Sequence, residues 1–149
     1  MADSTAYDDL IMDHIKNARN FRVLAAATHH ANGSNPLCGD ELAVELELNG
    51  DLIEEAAFQC TCCGISMASA SIMTESVRGK RSAEARAWLA QFAAALAVHA
   101  DAPPAGAEPA HYALLKTVQQ FPARTRCALL PWVTFEAALD NRQEPISLI

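Results

Sequence analysis

Residues 41–59 read Glu41-Leu-Ala-Val-Glu-Leu-Glu-Leu-Asn-Gly50-Asp-Leu-Ile-Glu-Glu-Ala-Ala-Phe-Gln59, and the period of their apolar positions decides the fold class. Leu42, Val44, Leu46 and Leu48 alternate with Glu41, Ala43, Glu45 and Glu47, the two-residue period of a strand with one face buried. Asn49-Gly50 supplies two residues that tolerate positive φ, as a tight hairpin turn demands, so 51–59 returns as an antiparallel partner. Ala57 and Phe58 are adjacent apolar residues in that second strand, and they mark either a bulge or a strand covered on both faces.

Beyond Gly64 the period changes. Ile65, Ala68 and Ile72 form one stripe and Met67, Ala70, Met73 and Val77 a neighbouring one, so a mostly buried helix is predicted over Ile65 to Arg78, with Gly79 as its C-cap. Ser82 is the expected N-cap of a further helix carrying Ala85, Trp88, Leu89, Phe92 and Leu96. Residues 101–109, with three prolines and a glycine, read as a loop. A short helix over His111 to Gln120 follows, closed by Pro122, and Cys127 to Leu139 gives the last helix, with Pro131 placed in its first turn. On the other side, Ala6 to Ala18 forms a helix with Leu10, Ile11, His14 and Ile15 on one face and Asp8 and Asp9 near its start. The turn formers of 31–36 read as a loop. The expected fold class is therefore α+β, a short antiparallel β-sheet packed against helices in two layers, as a single domain over 1–149.

The 149 residues, 51% apolar and 19% charged, suffice for a packed core. A net charge of −7 with scattered Lys and Arg argues against nucleic-acid binding. The acidic N-terminus has no apolar segment of export-signal length. The apolar run Trp88 to Val98 is too short for a bilayer and contains Gln91. These features predict a cytoplasmic protein without membrane association, in a compartment that keeps thiols reduced. Five cysteines cannot all pair, so metal-bound or reactive cysteine becomes the expectation.

Cys38 stands in Asn35-Pro-Leu-Cys-Gly-Asp40. Pro36 and Gly39 shape that loop, and Asp40 lies two residues on; thiolate and carboxylate are both zinc ligands, although a lone cysteine is more commonly a core residue. Cys63 stands at the mouth of the Ile65 helix, where free N–H groups and the helix dipole favour a thiolate. Cys127 has the same setting at the last helix, with Arg124 and Arg126 upstream. The spacings do not form paired Cys-x-x-Cys zinc knuckles. Cys60-x-x-Cys63 has the redox spacing without the strand-to-helix frame of a thioredoxin-like protein. His29-His30, His14, His99 and His111 read as surface or packing residues, and Trp88, Phe92, Trp132 and Phe135 as core or interface anchors.

Three blocks carry a family resemblance: 35–40, then 58–74 (Phe-Gln-Cys-Thr-Cys-Cys-Gly-Ile-Ser-Met-Ala-Ser-Ala-Ser-Ile-Met-Thr), then 121–132 (Phe-Pro-Ala-Arg-Thr-Arg-Cys-Ala-Leu-Leu-Pro-Trp). In this order they resemble the signature blocks of the iron–sulfur cluster assembly family that includes IscU, the N-terminal part of NifU, and SufU. The SufU branch is the most similar. Residues 98–120 look like the insertion of that branch, Arg126 stands where an IscU-type protein has histidine, and the IscU chaperone motif Leu-Pro-Pro-Val-Lys is replaced by Phe121-Pro-Ala-Arg-Thr.

The resemblance implies metal ligands at Cys38, Asp40, Cys63 and Cys127, holding zinc through three sulfurs and one carboxylate. It implies a zinc-dependent sulfurtransferase, a sulfur acceptor that takes persulfide sulfur from a pyridoxal-phosphate cysteine desulfurase of SufS type and serves downstream SUF assembly proteins. A histidine of the desulfurase would enter the zinc shell and release Cys38 as the acceptor. A scaffold or carrier assembling a [2Fe–2S] cluster on the same cysteines is the alternative, and a structural zinc module a third. Arg124 resembles a supporting lysine of IscU. Cys60 and Cys62 depart from the family pattern, and three readings stay open for them: loop thiols without a fixed role, auxiliary ligands or a sulfur relay, and a regulatory disulfide.

Overall fold

A computed structural model describes residues 8–148. Its elements run α1 (Asp9–Lys16), β1 (His29–Asn35), β2 (Asp40–Asn49), β3 (Leu52–Thr61), α2 (Gly64–Val77), α3 (Ser82–Ala97), α4 (Pro109–Gln120), a 3₁₀ turn (Pro122–Arg124), α5 (Thr125–Leu139) and β4 (Ile146–Ser147). The start of the predicted first helix, Ala6 and Tyr7, falls outside the described residues. The sheet order is β3-β2-β1-β4. The first three strands are antiparallel, and β4 adds a parallel pairing to β1, so the expected α+β class holds with a mixed sheet.

The hairpin forms one residue later than the sequence suggested. Asn49 pairs with Leu52, so the turn residues are Gly50 and Asp51, and Gly50 alone has a positive φ of 63°. Glycine at the first turn position supplies the twist that a two-residue hairpin needs. The irregularity lies between Glu47 and Leu48, not at Ala57-Phe58. Ala57 and Phe58 are both buried, and residues 20–22 run along the edge of β3 at that point: Arg22 N–H donates to the Phe58 carbonyl at 3.1 Å, and the Phe21 ring packs edge-on to Phe58 at 5.1 Å.

The predicted loop 31–36 is instead an interior strand. Its turn-forming residues are overruled by pairing with β2 on one side and β4 on the other. Gly33 is required there by close packing: a Cβ at this position would overlap the Thr134 hydroxyl of α5. The turn itself is 36–39, where Cys38 N–H donates to the Asn35 carbonyl at 3.1 Å and Gly39 takes a φ of 73°.

Leu42, Val44 and Leu46 face the helical layer, where α2 and α5 cover the sheet. Ser66, Ser69 and Ala70 give α2 a thin profile, and α5 lies against it; the Trp132 indole donates to Ser69 Oγ at 2.8 Å. Arg81, not Ser82, stands at the N-cap position of α3, its backbone extended and its carbonyl accepting from the Ala85 N–H at 2.9 Å, while Ser82 is the first helical residue and donates its N–H to the Asp51 carbonyl at 2.6 Å. α4 begins at Pro109, whose missing N–H costs nothing at a helix start. His111, Trp88, Phe92 and Trp132 form an aromatic cluster where α3, α4 and α5 meet, with Phe92 and Trp132 centroids 4.7 Å apart. Pro131 sits inside α5 and not in its first turn, since the helix starts at Thr125. Among the described residues no helix is long and apolar enough to cross a membrane.

Candidate metal centre

Four chain segments converge at one end of the sheet. Cys38 is exposed on the β1–β2 turn, Asp40 opens β2 and is 1% exposed, Cys63 is the N-cap of α2, and Cys127 is buried in the first turn of α5. Ligand atoms of Cys38, Asp40 and Cys127 all lie within 4.8 Å of one another. Cys38 Sγ and Cys127 Sγ are 3.3 Å apart. Cys63 joins the group through Asp40, its Sγ 3.9 Å from Asp40 Oδ2 and its N–H donating to Asp40 Oδ1 at 2.9 Å.

The electrostatics follow from the helix start and the crowding of sulfurs. Cys63 is held down to about 5, first by a hydrogen bond from the Cys127 thiol and further by the backbone N–H and hydroxyl of Ser66, against burial that pushes it up. Cys127 is driven the other way by donating to Cys63 and by burial. One thiolate and one retained proton are thus shared across the helix mouths.

Two residues complete the surroundings. Ser66 Oγ lies 2.9 Å from the Cys127 carbonyl and 3.0 Å from Asp40 Oδ2, with one proton to share between them. The Cys127 carbonyl needs an outside donor because Pro131, four residues on, has no N–H to give it. Asn35 Nδ2 points at Cys127 Sγ from 3.8 Å, and Asn35 Oδ1 is buried without a hydrogen-bond partner among the described residues. Neither residue was singled out by sequence reading as a functional residue. The signal for Ser66 is a hydroxyl among the buried positions of α2, a signal it shares with Ser69, Ser71 and Thr74.

Donor type and spacing suit a small thiophilic cation. Tetrahedral zinc with sulfur and oxygen ligands places its ligand atoms roughly 3.3–3.8 Å apart, close to the Cys38–Cys127 and Cys63–Asp40 separations above. Of the remaining sequence candidates, Arg126 is exposed beside Cys127. His29 and His30 lie on β1 away from the group, and His99 binds Thr125 Oγ1 through Nε2 at 2.8 Å. Cys60 and Cys62 are joined to each other as a disulfide.

Residues 6–128 match the family model described as the NifU-like N-terminal domain. The zinc-dependent sulfurtransferase SufU of Bacillus subtilis (strain 168) is 38% identical over 141 residues, covering 93% of this chain and 92% of that protein. The iron–sulfur cluster assembly scaffold protein IscU of Streptococcus pyogenes serotype M1 is 34% identical over 135 residues, covering 91% and 83%. In structure, the SUF-system protein FiSufU of Fervidobacterium islandicum AW-1 superposes with a TM-score of 0.80 at 29% identity, over 90% of this chain and 96% of that one. The chain therefore shares its fold with the SUF-system structure and belongs to the NifU-like N-terminal domain family of iron–sulfur cluster assembly.

Proposed function

We propose that the protein is a zinc-dependent sulfur acceptor and transferase, partnered by a pyridoxal-phosphate cysteine desulfurase of SufS type and delivering sulfur to downstream SUF assembly proteins in the cytoplasm. The observation that carries this reading is the meeting of an exposed thiol, Cys38, with buried Asp40 and Cys127 in one cluster. The 38% identical SufU, named a zinc-dependent sulfurtransferase, supports it. Cys38, Asp40, Cys63 and Cys127 are the residues that would hold zinc. Bound there, zinc keeps its sulfur ligands deprotonated at neutral pH. Residues 1–149 act as a single domain in which 98–120, the loop and α4, is the insertion of the SufU branch.

Cys38 is the member of the group that a docked protein can reach, since Cys127 is buried and Cys63 only half-exposed. Its thiolate attacks the outer sulfur of the donor's persulfide, the sulfur–sulfur bond breaks, and the donor leaves as a thiolate while Cys38 carries the persulfide. Asp40 keeps its bonds to the Cys63 N–H and Ser66, so the cup around the acceptor stays formed. Exposed Leu37, beside Cys38, offers an apolar contact at the same rim.

The test is protein purified without oxygen. About one zinc per colourless chain, acceleration of the desulfurase, and loss of that acceleration in Cys38→Ala are expected. A stable brown chromophore would replace this reading with the [2Fe–2S] scaffold suggested by the IscU relative. Unchanged acceleration in Cys38→Ala would remove the acceptor role.

A further inference from the structure

Cys60 and Cys62 belong to no part of the machinery described so far. They are bonded across a sequence separation of 2. A cross-link that short ties no two elements together and removes little loop entropy from the unfolded chain, so its fold-stabilising value is small. In a compartment that keeps thiols reduced, a disulfide of this kind belongs to a pair that cycles.

Position supplies the second observation. Cys60 pairs with Leu42 across the β2–β3 ladder. The ladder ends at the pair Glu41–Thr61, so Asp40 and Cys62 are the residues that flank it at the same end of the sheet. The next residue, Cys63, donates its N–H to Asp40, and the Asp40 carboxylate is within 4.8 Å of Cys38 Sγ. Both residues of the pair are half-buried, and Cys60 lines an open groove of about 720 Å³ with Gln59, Thr61 and Glu41.

We infer that Cys60 and Cys62 are a built-in two-electron reductant that converts sulfane sulfur delivered to Cys38 into sulfide. The inference rests on the sulfur-acceptor reading. Sulfane sulfur is at the oxidation level of the element, and each atom needs two electrons before it can enter a cluster as sulfide. The reduced pair holds two. The thiolate of Cys62, next in the chain to Cys63, attacks the Cys38 sulfur of the persulfide; the sulfur–sulfur bond breaks, hydrosulfide leaves, and a Cys38–Cys62 disulfide forms. Cys60 then attacks Cys62 Sγ, freeing Cys38 as a thiolate and leaving the Cys60–Cys62 disulfide. Two thiols are oxidised, one sulfur atom is reduced, and the thiol protons pass to hydrosulfide and solvent. An external low-potential dithiol, entering from the groove, resets the pair.

The test gives glutathione persulfide, one equivalent, to the full-length protein, reduced and freed of reductant. Sulfide is assayed in solution, and cysteine states are mapped by mass spectrometry. The expected result is about one sulfide per chain together with a Cys60–Cys62 disulfide, and roughly a tenth as much sulfide or less from Cys60→Ser/Cys62→Ser, which keeps an added sulfur on Cys38. Cys60→Ser alone, which needs little structural accommodation, should trap the Cys38–Cys62 disulfide. Equal sulfide from the double variant, or persulfide that persists on Cys38 in the unaltered protein, overturns the inference and leaves the acceptor reading standing. Sulfide release with Cys60–Cys62 oxidation in Cys38→Ser, where no Cys38–Cys62 disulfide can form, would overturn the inference and remove Cys38 as the acceptor as well.

Discussion

Cys38 and Cys127 are 89 residues apart in the chain, yet their sulfurs lie 3.3 Å apart. One is exposed at the tip of a turn, and the other is buried at the start of α5. What brings them together is the seating of α5 across β1, because β1 carries the turn that presents Cys38. Any change that shifts α5 on the sheet therefore changes the separation of these two thiols before it touches either.

Asp40 is the first test of that frame. Its carboxylate accepts from the Cys63 N–H at 2.9 Å and from Ser66 Oγ at 3.0 Å while 1% exposed. Asp40→Ala leaves the Cys63 N–H without this acceptor, while Ser66 keeps the Cys127 carbonyl; the lost bond costs about 1–3 kcal/mol. Asp40→Asn retains an acceptor oxygen and should recover part of that loss while still weakening zinc binding. Urea unfolding in chelator reads the first effect and zinc titration the second; an unshifted urea midpoint in Asp40→Ala would contradict this role.

Ser66 and Pro131 should be energetically coupled. Pro131 deprives the Cys127 carbonyl of its intrahelical donor, and the Ser66 hydroxyl stands 2.9 Å from that oxygen. Ser66→Ala is expected to cost about 1–3 kcal/mol in the natural background. In Pro131→Ala, where residue 131 regains an N–H, the same substitution should cost measurably less. A double-mutant cycle on the metal-free protein gives the coupling; additivity would show that the serine does not act through this carbonyl.

Gly33 sets the approach of α5 to β1. Its missing side chain leaves room for Thr134 Oγ1, which donates to the Leu130 carbonyl at 2.7 Å. Gly33→Ala should destabilise by about 1–3 kcal/mol through overpacking. Adding Thr134→Ala removes the clashing oxygen, so the penalty of Gly33→Ala should shrink in that background. Thermal unfolding of the four proteins decides it, and zinc affinity should follow the same order because α5 carries Cys127.

The sequence pattern exposed the α+β class, the β2–β3 hairpin and the boundaries of α2, because strand and helix periods differ sharply and Gly79 marks a helix end. β1 was hidden. Asn32, Gly33, Ser34 and Asn35 have the chemistry of a turn, and only their neighbours in space, β2, β4 and Thr134, make them a strand. β4 is two residues long and has no pattern of its own. At the site, Cys38, Asp40, Cys63 and Cys127 were visible through motif and resemblance. Ser66 and Asn35 were not, since their roles depend on Pro131 and Cys127 arriving from another part of the chain. The bond between Cys60 and Cys62 was one of three open readings.

Stability should fall with acidification through His111. Its ring is 4% exposed and satisfied as the neutral form: the Glu108 N–H donates to Nδ1 at 2.9 Å, and Nε2 meets Ser76 Oγ at 2.7 Å. Burial, with Lys80 adding repulsion, lowers it to about 4. Glu75, Glu84 and Glu108 line the same hollow. The unfolded chain therefore takes up the proton first. The contribution of neutral His111 is fully present above its unfolded value of 6.5 and is lost as pH falls from there toward about 4. The size of the effect is roughly 2–3 kcal/mol between neutrality and the lower end of that window. His111→Gln keeps hydrogen-bonding capacity but does not titrate, so its stability should fall less steeply over the same range. His14, also lowered by burial, and the carboxylates are common to both proteins and cancel in the difference. Parallel pH profiles of urea unfolding for the two proteins would exclude His111 as the source of the slope.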